Sequence, residues 1–206
     1  MIRAGDTVGY EGAVYALQNQ ASMPVTPGAR TALARFWARL IFCRWPSVTL
    51  FGPTDARLPK WFREADWGVK IDYHRTSFLP PNLGSVDVEA GGFPLKISSA
   101  PRAVMECLHL ASGGDDLVEA RELMDGLNNL GPMIVQTLLE ACTSIKVKRL
   151  FLYLADAAGH DWVRHIDRSG IDLGSGARSL VSKGTYIPEY KIMVPRELVP
   201  DAKPRL

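Results

Sequence analysis

"TSIKVKRLFLYLADAAGHDW", residues 143–162, can be read as a strand, a membrane anchor or a helix, and the fold depends on which. The uninterrupted apolar run, 150–155, is far shorter than the roughly 20 residues needed to cross a bilayer. Val147, Leu150, Phe151, Leu154 and Ala158 follow the i, i+3, i+4, i+7, i+11 series of one helical face. Ser144 stands where an N-cap belongs and Gly159 where a terminator does. The spacing therefore predicts a helix over 144–158. Leu152 and Tyr153 lie outside the stripe, so the helix is expected to be buried on more than one side, as the central member of a bundle.

The first turns of this helix carry Lys146, Lys148 and Arg149. A helix start is the positive pole of the macrodipole, and an exposed cation there is unfavourable by about 0.3–1 kcal/mol. Two readings offset that. An anion could be held at the helix start, either a nucleic-acid phosphate or an acidic surface on a partner. Alternatively Glu140, near the end of the preceding helix, could neutralise Lys146 or Lys148 across the junction. Arg178 and Lys183, on "GSGARSLVSKGTY", are candidates to extend the same basic contact surface.

Upstream, the helical pattern continues. Ser98 or Ser99 can cap a helix that takes Pro101 in its first turn and presents Val104, Cys107, Leu108 and Ala111 on one face. Asp116 and Glu119 have capping-box spacing ahead of the next apolar series. Gly131-Pro132 opens another helix, with Ile134, Val135, Leu138, Leu139 and Cys142 on its apolar face. Short connections favour antiparallel packing, so about four consecutive helices are expected to form a compact bundle.

The first half is mixed. A helix is predicted near 10–18, and a second carries Ala32, Leu33, Phe36, Trp37 and Leu40 on one face with Arg30, Arg35 and Arg39 away from it. "SVTLFGP" reads as a strand ended by Gly52-Pro53, and "LPKWFRE" as a short helix leading into a strand at 69–73. Further strands are expected at 86–88 and 93–97, and a C-terminal pair at 178–182 and 190–194. Strands, then helices, then strands, without regular alternation, predict an α+β fold: a mixed β-sheet packed against the helices. The reading is of a single domain over 1–206, with a mixed part at 1–100, a helical part at 101–160 and C-terminal strands at 161–206.

Composition narrows the function classes. The chain of 206 residues is 47% hydrophobic and has 24 basic against 22 acidic residues, so any affinity for nucleic acid must come from a local patch and not from the overall field. Cys43, Cys107 and Cys142 are odd in number and lie among apolar neighbours, which reads as reduced thiols in a cytosolic protein. No glycine-rich phosphate loop, nucleophile elbow or paired-cysteine metal motif is present. His160 and His165, near Asp156, Asp161 and Asp167, read as capping or surface histidines more readily than as metal ligands, and no cofactor is expected. One enzyme signal exists: Asp172 followed by Glu189-Tyr190-Lys191 has the acid-then-E-x-K order of restriction-type metal-dependent nucleases, in which two carboxylates hold Mg²⁺ and the lysine supports the attacking water.

The stretches "GDTVGYEGAVYALQ", "TALARFWARL", "LFGP" with "LPKWF", "KISSAPRAV", "LLEACTSIKVKRLFLYLADAAGHDW" and "IDLGSGARSLVSKG" leading to "EYKIMVP" occur in an order that is specific when taken together. Over nearly its whole length the chain resembles the C-terminal region of the AbiEi-family antitoxins, the transcriptional regulators encoded beside a nucleotidyltransferase-like toxin in type IV toxin–antitoxin systems. Where that family usually has Pro-Glu, this chain has Ala100-Pro101. The resemblance implies a non-enzymatic, cytoplasmic bacterial protein of phage defence that suppresses its toxin and represses its own operon. The family's winged helix-turn-helix head, to which operator DNA binding is assigned, is expected to be absent here, with "MIRAGD" resembling the tail of its wing. The expected contact surface for nucleic acid or an acidic partner is Lys146, Lys148, Arg149, Arg178 and Lys183. A nuclease on Asp172, Glu189 and Lys191 is the rival reading. A DNA-binding regulator using the remaining basic residues is the third, and it predicts steep salt dependence.

Overall fold

The computed structural model describes residues 9–36, 47–179, 181 and 184–199. Trp37, Arg39, Leu40, Cys43 and Lys183, all named above, lie outside the described residues, as do 180 and 182 of the strand expected at 178–182. The chain divides into two compact units, Met1–Ser99 and Ala100–Leu206, at the point where the sequence pattern changes from mixed to helical.

The first unit contains α1 (Tyr10–Asn19), β1 (Thr26–Pro27), α2 (Ala29–Phe36), β2 (Ser47–Gly52), α3 (Lys60–Glu64), β3 (Lys70–Arg75), β4 (Ser85–Glu89) and β5 (Pro94–Ser98). β2 is the middle of a three-stranded mixed sheet, antiparallel to β1 and parallel to β3, with Leu50 opposite Tyr73. A parallel pair needs a crossover, and the segment carrying α3 supplies it. β4 and β5 form an antiparallel ladder of their own, with Val86 opposite Ile97. Gln18 joins helix to strands: its Nε2 donates to the carbonyls of Val25 (2.8 Å) and Lys96 (2.7 Å), and its Oε1 accepts from the Lys96 amide (3.1 Å). The Tyr73 hydroxyl occupies the place a side chain at Gly52 would need, so the strand must end on glycine there. Val14, Leu17, Leu33, Leu50, Phe62, Leu95 and Ile97 close the core.

The second unit begins with four consecutive helices, α4 (Ala100–Leu110), α5 (Gly114–Asp125), α6 (Pro132–Ala141) and α7 (Ile145–Ala158). α5 starts two residues before the expected cap. Gly113 is its N-cap, and Asp116, already inside the first turn, reaches back to accept from the amides of Ser112 (2.8 Å) and Gly113 (3.3 Å). Short 3₁₀ turns at Asp161–His165 and Arg168–Gly170 lead to β6 (Arg178–Ser179), β7 (Thr185–Ile187) and β8 (Ile192–Val194). β8 lies between the other two, parallel to β6 and antiparallel to β7. The expected C-terminal pair is thus β6 and β8, joined by β7, which the sequence reading did not include. No helix among the described residues is long and apolar enough to cross a membrane.

Candidate functional site at the start of α7

The helix predicted from residues 143–162 forms as the sequence requires. Ser144 has extended backbone angles, its Oγ accepts from the Val147 amide at 3.4 Å, and its carbonyl accepts from the Lys148 amide at 3.0 Å. Gly159 takes φ +71°, the left-handed conformation that glycine adopts without a steric penalty, and its amide closes on the carbonyls of Ala155 and Asp156. Every residue from 147 to 155 is buried, so α7 is enclosed on all sides, which the positions of Leu152 and Tyr153 foreshadowed.

That enclosure sets the fate of the three cations. Lys146 leaves its own helix and donates through Nζ to the carbonyls of His109 (2.9 Å) and Ala111 (2.8 Å), at the end of α4. A charge unfavourable at the start of α7 is therefore favourable at the negative pole of α4. Burial lowers the Lys146 pKa, and the nearby Asp116 charge partly restores it. Arg149 is only 1% exposed. Its guanidinium donates to four backbone carbonyls, Leu173 (2.6 Å), Gly176 (2.6 Å), Gly174 (3.0 Å) and Lys191 (3.1 Å), and so pins the loop before β6 and the turn before β8 onto α7. The planar fork of donors suits this task, which a lysine could not perform.

Lys148 is 4% exposed, and its ammonium has no hydrogen-bond or ion-pair partner among the described residues. Its charge reaches the Cys142 thiol. Burial pushes that thiol's pKa up, while the Ser144 backbone and the Lys148 charge act the other way.

Neither sequence reading of these cations describes this arrangement. Lys148 and Arg149 are enclosed and do not form an open contact surface, because the helix that carries them is buried all round. Glu140 does not neutralise them either; it accepts from Gln136 Nε2 at 2.6 Å. Arg178 stands exposed on β6, and Lys183 lies outside the described residues.

Each member of the nuclease trio has a local partner. Asp172 Oδ1 accepts from the Gly174 amide (2.8 Å), Glu189 faces Arg168 (3.6 Å), and Lys191 Nζ donates to the Ser175 carbonyl (3.3 Å). Among the described residues no three or more His, Cys, Asp or Glu side chains gather to hold a metal ion. The His160 ring bonds through Nε2 to the Met124 carbonyl at 2.7 Å and stacks on Trp162, whose Nε1 donates to the Leu127 carbonyl. A carbonyl can only accept, so Nε2 carries the proton and His160 closes the end of α5.

One cluster escaped the sequence reading. Arg168 donates to the Tyr190 hydroxyl (2.8 Å) and to Asp156 Oδ1 (2.5 Å), and the Tyr190 hydroxyl donates to the other Asp156 oxygen. Burial first, and the Asp156 bond second, raise the Tyr190 pKa well above its ordinary value. Residues 156, 168 and 190 are far apart in sequence, and only the paired charge signs of Asp156 and Arg168 hinted at a meeting.

The class this defines is a two-unit α+β protein whose cationic helix start is built into its own framework. The chain belongs to the AbiEi antitoxin family, transcriptional regulators of type IV toxin–antitoxin systems, whose sequence profile matches residues 46–195. Its fold is shared with the crystal structure of the RV2827C protein from Mycobacterium tuberculosis, with a TM-score of 0.61 over 94% of this chain and 70% of that one. The identity is 13%, so the likeness is one of fold alone. No curated protein sequence matches the chain.

Proposed function

We propose that the chain acts in the bacterial cytoplasm as the antitoxin that neutralises a nucleotidyltransferase-like toxin, without a cofactor and without catalysis of its own. The observation that carries this reading is the span of the family match, 46–195, which takes in parts of both compact units and not a single motif. Autorepression through operator DNA is the companion activity, carried by a helix-turn-helix head of the kind the family resemblance places ahead of this region. Arg178, exposed on β6, and Lys183 are the contacts we assign to an acidic partner or to nucleic acid.

The test is co-expression with the neighbouring nucleotidyltransferase-like protein under separate inducible promoters, scored as growth. Rescue is expected, and replacing Arg178 and Lys183 together by glutamate should weaken it while the circular dichroism spectrum stays unchanged. A folded, abundant chain that leaves growth arrested would overturn the assignment.

A further inference from the structure

We propose that the groove between α5 and the chain leaving β8 docks an arginine-bearing segment of a partner protein. Its guanidinium groups would meet Asp115, Glu122 and Glu197, and its apolar stems Val118, Val181 and Pro195. The proposal stands apart from the antitoxin reading, and the surface is opposite in sign to the Arg178 and Lys183 contacts assigned above.

The groove lies within the second unit and has a volume of about 860 Å³. A Cβ on Gly114 would stand 3.5 Å from Pro195 Cγ, so the start of α5 packs directly against the chain leaving β8. Val118, Val181 and Pro195 give the groove an apolar lining. Every charged side chain lining it, among the described residues, is acidic. Arg121 and Arg196, next in sequence to Glu122 and Glu197, are not part of the lining, and Arg121 is spent on Asp125 and the Ala157 carbonyl.

The acids of the second unit are otherwise engaged within the chain. Glu106 pairs with Arg102, Asp125 with Arg121 and Asp161 with Arg164, while Asp156 and Glu189 share Arg168. Asp116, Asp167 and Asp172 accept from nearby amides, Glu140 accepts from Gln136, and Glu119, which also lines the groove, has a partner of its own. Asp115, Glu122 and Glu197 are the described acids of this unit with no hydrogen bond or ion pair, and all three face the same groove. Helix stability accounts for Asp115, in the first turn of α5, but not for Glu122, in the last turn, where a carboxylate opposes the macrodipole. Glu197 comes from a separate element, the 3₁₀ turn Arg196–Leu198.

Charge complementarity names the occupant. Unpaired carboxylates repel a nucleic-acid backbone and attract cations. A single metal ion does not fit, since among the described residues no three acids gather closely enough to hold one. Spaced carboxylates beside apolar side chains suit a segment with several cationic groups on apolar stems. Arginine answers both demands: its planar fork binds a carboxylate through two donors, and it is more weakly hydrated than an ammonium.

The experiment titrates the whole ¹⁵N-labelled chain with a short synthetic peptide alternating arginine and leucine, and in parallel with a version carrying glutamate in place of arginine. Saturable shifts are expected at the amides of 113–122, 181 and 196–197 with the arginine peptide, and none with the glutamate version. The triple variant Asp115→Asn, Glu122→Gln, Glu197→Gln should weaken binding by about tenfold or more, in line with loss of charge-assisted bonds. A control triple in the first unit, Asp55→Asn, Glu64→Gln, Asp87→Asn, removes the same net charge and should leave the affinity unchanged. Equal weakening by both triples, or shifts spread over acidic surface elsewhere, would overturn the proposal, because attraction would then follow net charge and not this groove. Calcium chloride that moves the same amides at lower concentration than the peptide would overturn it in favour of a metal site. The wild-type shift map decides the matter even if a variant does not fold.

Discussion

Replacing Arg149 by methionine tests whether carbonyl capture by a buried cation holds the second unit together. The wild-type guanidinium makes four bonds of 2.6–3.1 Å, each charge-assisted. A bond of that kind contributes about 1.5–3 kcal/mol, which would give an implausibly large total if simply added. Two effects reduce it. Removing an unpaired guanidinium from the interior recovers several kcal/mol of desolvation, and the carbonyls of Gly174, Gly176 and Lys191 belong to exposed residues that can turn to water. Leu173 and the cavity left at a 1%-exposed site remain as losses. The expected net destabilisation is ~3–5 kcal/mol, from the carbonyl left unsatisfied, about 1–3 kcal/mol, together with the lost packing at the cavity. At a urea slope of ~2 kcal/mol/M, the unfolding midpoint of the second unit should fall by ~2 M. Hydrogen exchange resolved by residue should show the earliest loss of protection at 173–179 and at the turn before β8, the backbone that Arg149 holds. Arg149→Lys keeps the charge but not the fork, and should lose about half as much. A midpoint for Arg149→Met equal to or above wild type would mean that desolvation outweighs the four bonds, and the account of this residue as a structural pin would be wrong.

Two further perturbations address the ends of α7. Ser144→Ala removes the N-cap; because the bond to Val147 is long, at 3.4 Å, the loss should lie near the low end of the usual range, ~0.5–1 kcal/mol, read as a small drop in urea midpoint, and no drop at all would show the cap to be idle. The Tyr190 pKa is raised by burial and by its bond to Asp156, so its contribution is fully present below the ordinary tyrosine value of about 10 and is lost as pH rises through the higher folded value. Urea midpoints measured from about pH 9 to 11.5 should therefore fall more steeply for wild type than for Tyr190→Phe. Tyr153, also raised, and Lys146, lowered and opposite in sign, are common to both proteins and cancel in the comparison, so parallel slopes would refute the assignment.

Periodicity made most of the framework readable, because burial on one face leaves a repeat in the chain itself. The 3.6-residue series gave α7 and its neighbours, and the apolar runs gave β2, β3, β4 and β5 to within a residue or two. Local signals with local partners were also legible: the Ser144 cap, the Gly159 terminator and Gly131-Pro132 all stand where they were expected. The failures share a cause. Arg149, Lys146 and His160 bond to main-chain carbonyls 24 to 42 residues away, and a carbonyl acceptor has no residue identity for a sequence to display. An acid such as Glu140 is visible in the sequence as a counter-charge, whereas the acceptors of Lys146 and Arg149 are backbone.

Yet one signal for their burial was present. Leu152 and Tyr153, noted as lying off the main stripe, are three and four residues beyond Arg149, so Arg149 heads a second buried stripe of its own. Lys148 stands in the same relation to Phe151 and Leu152, both fully buried. A helix apolar on two faces leaves no solvated side for cations in its first turns, and the burial inferred from Leu152 and Tyr153 already required Lys148 and Arg149 to turn inward. The distinction that matters for function then follows from donor counting and not from charge counting. Arg149 finds four acceptors and Lys146 two, all of them backbone carbonyls, so these two cations are spent on the framework and are not offered to a partner.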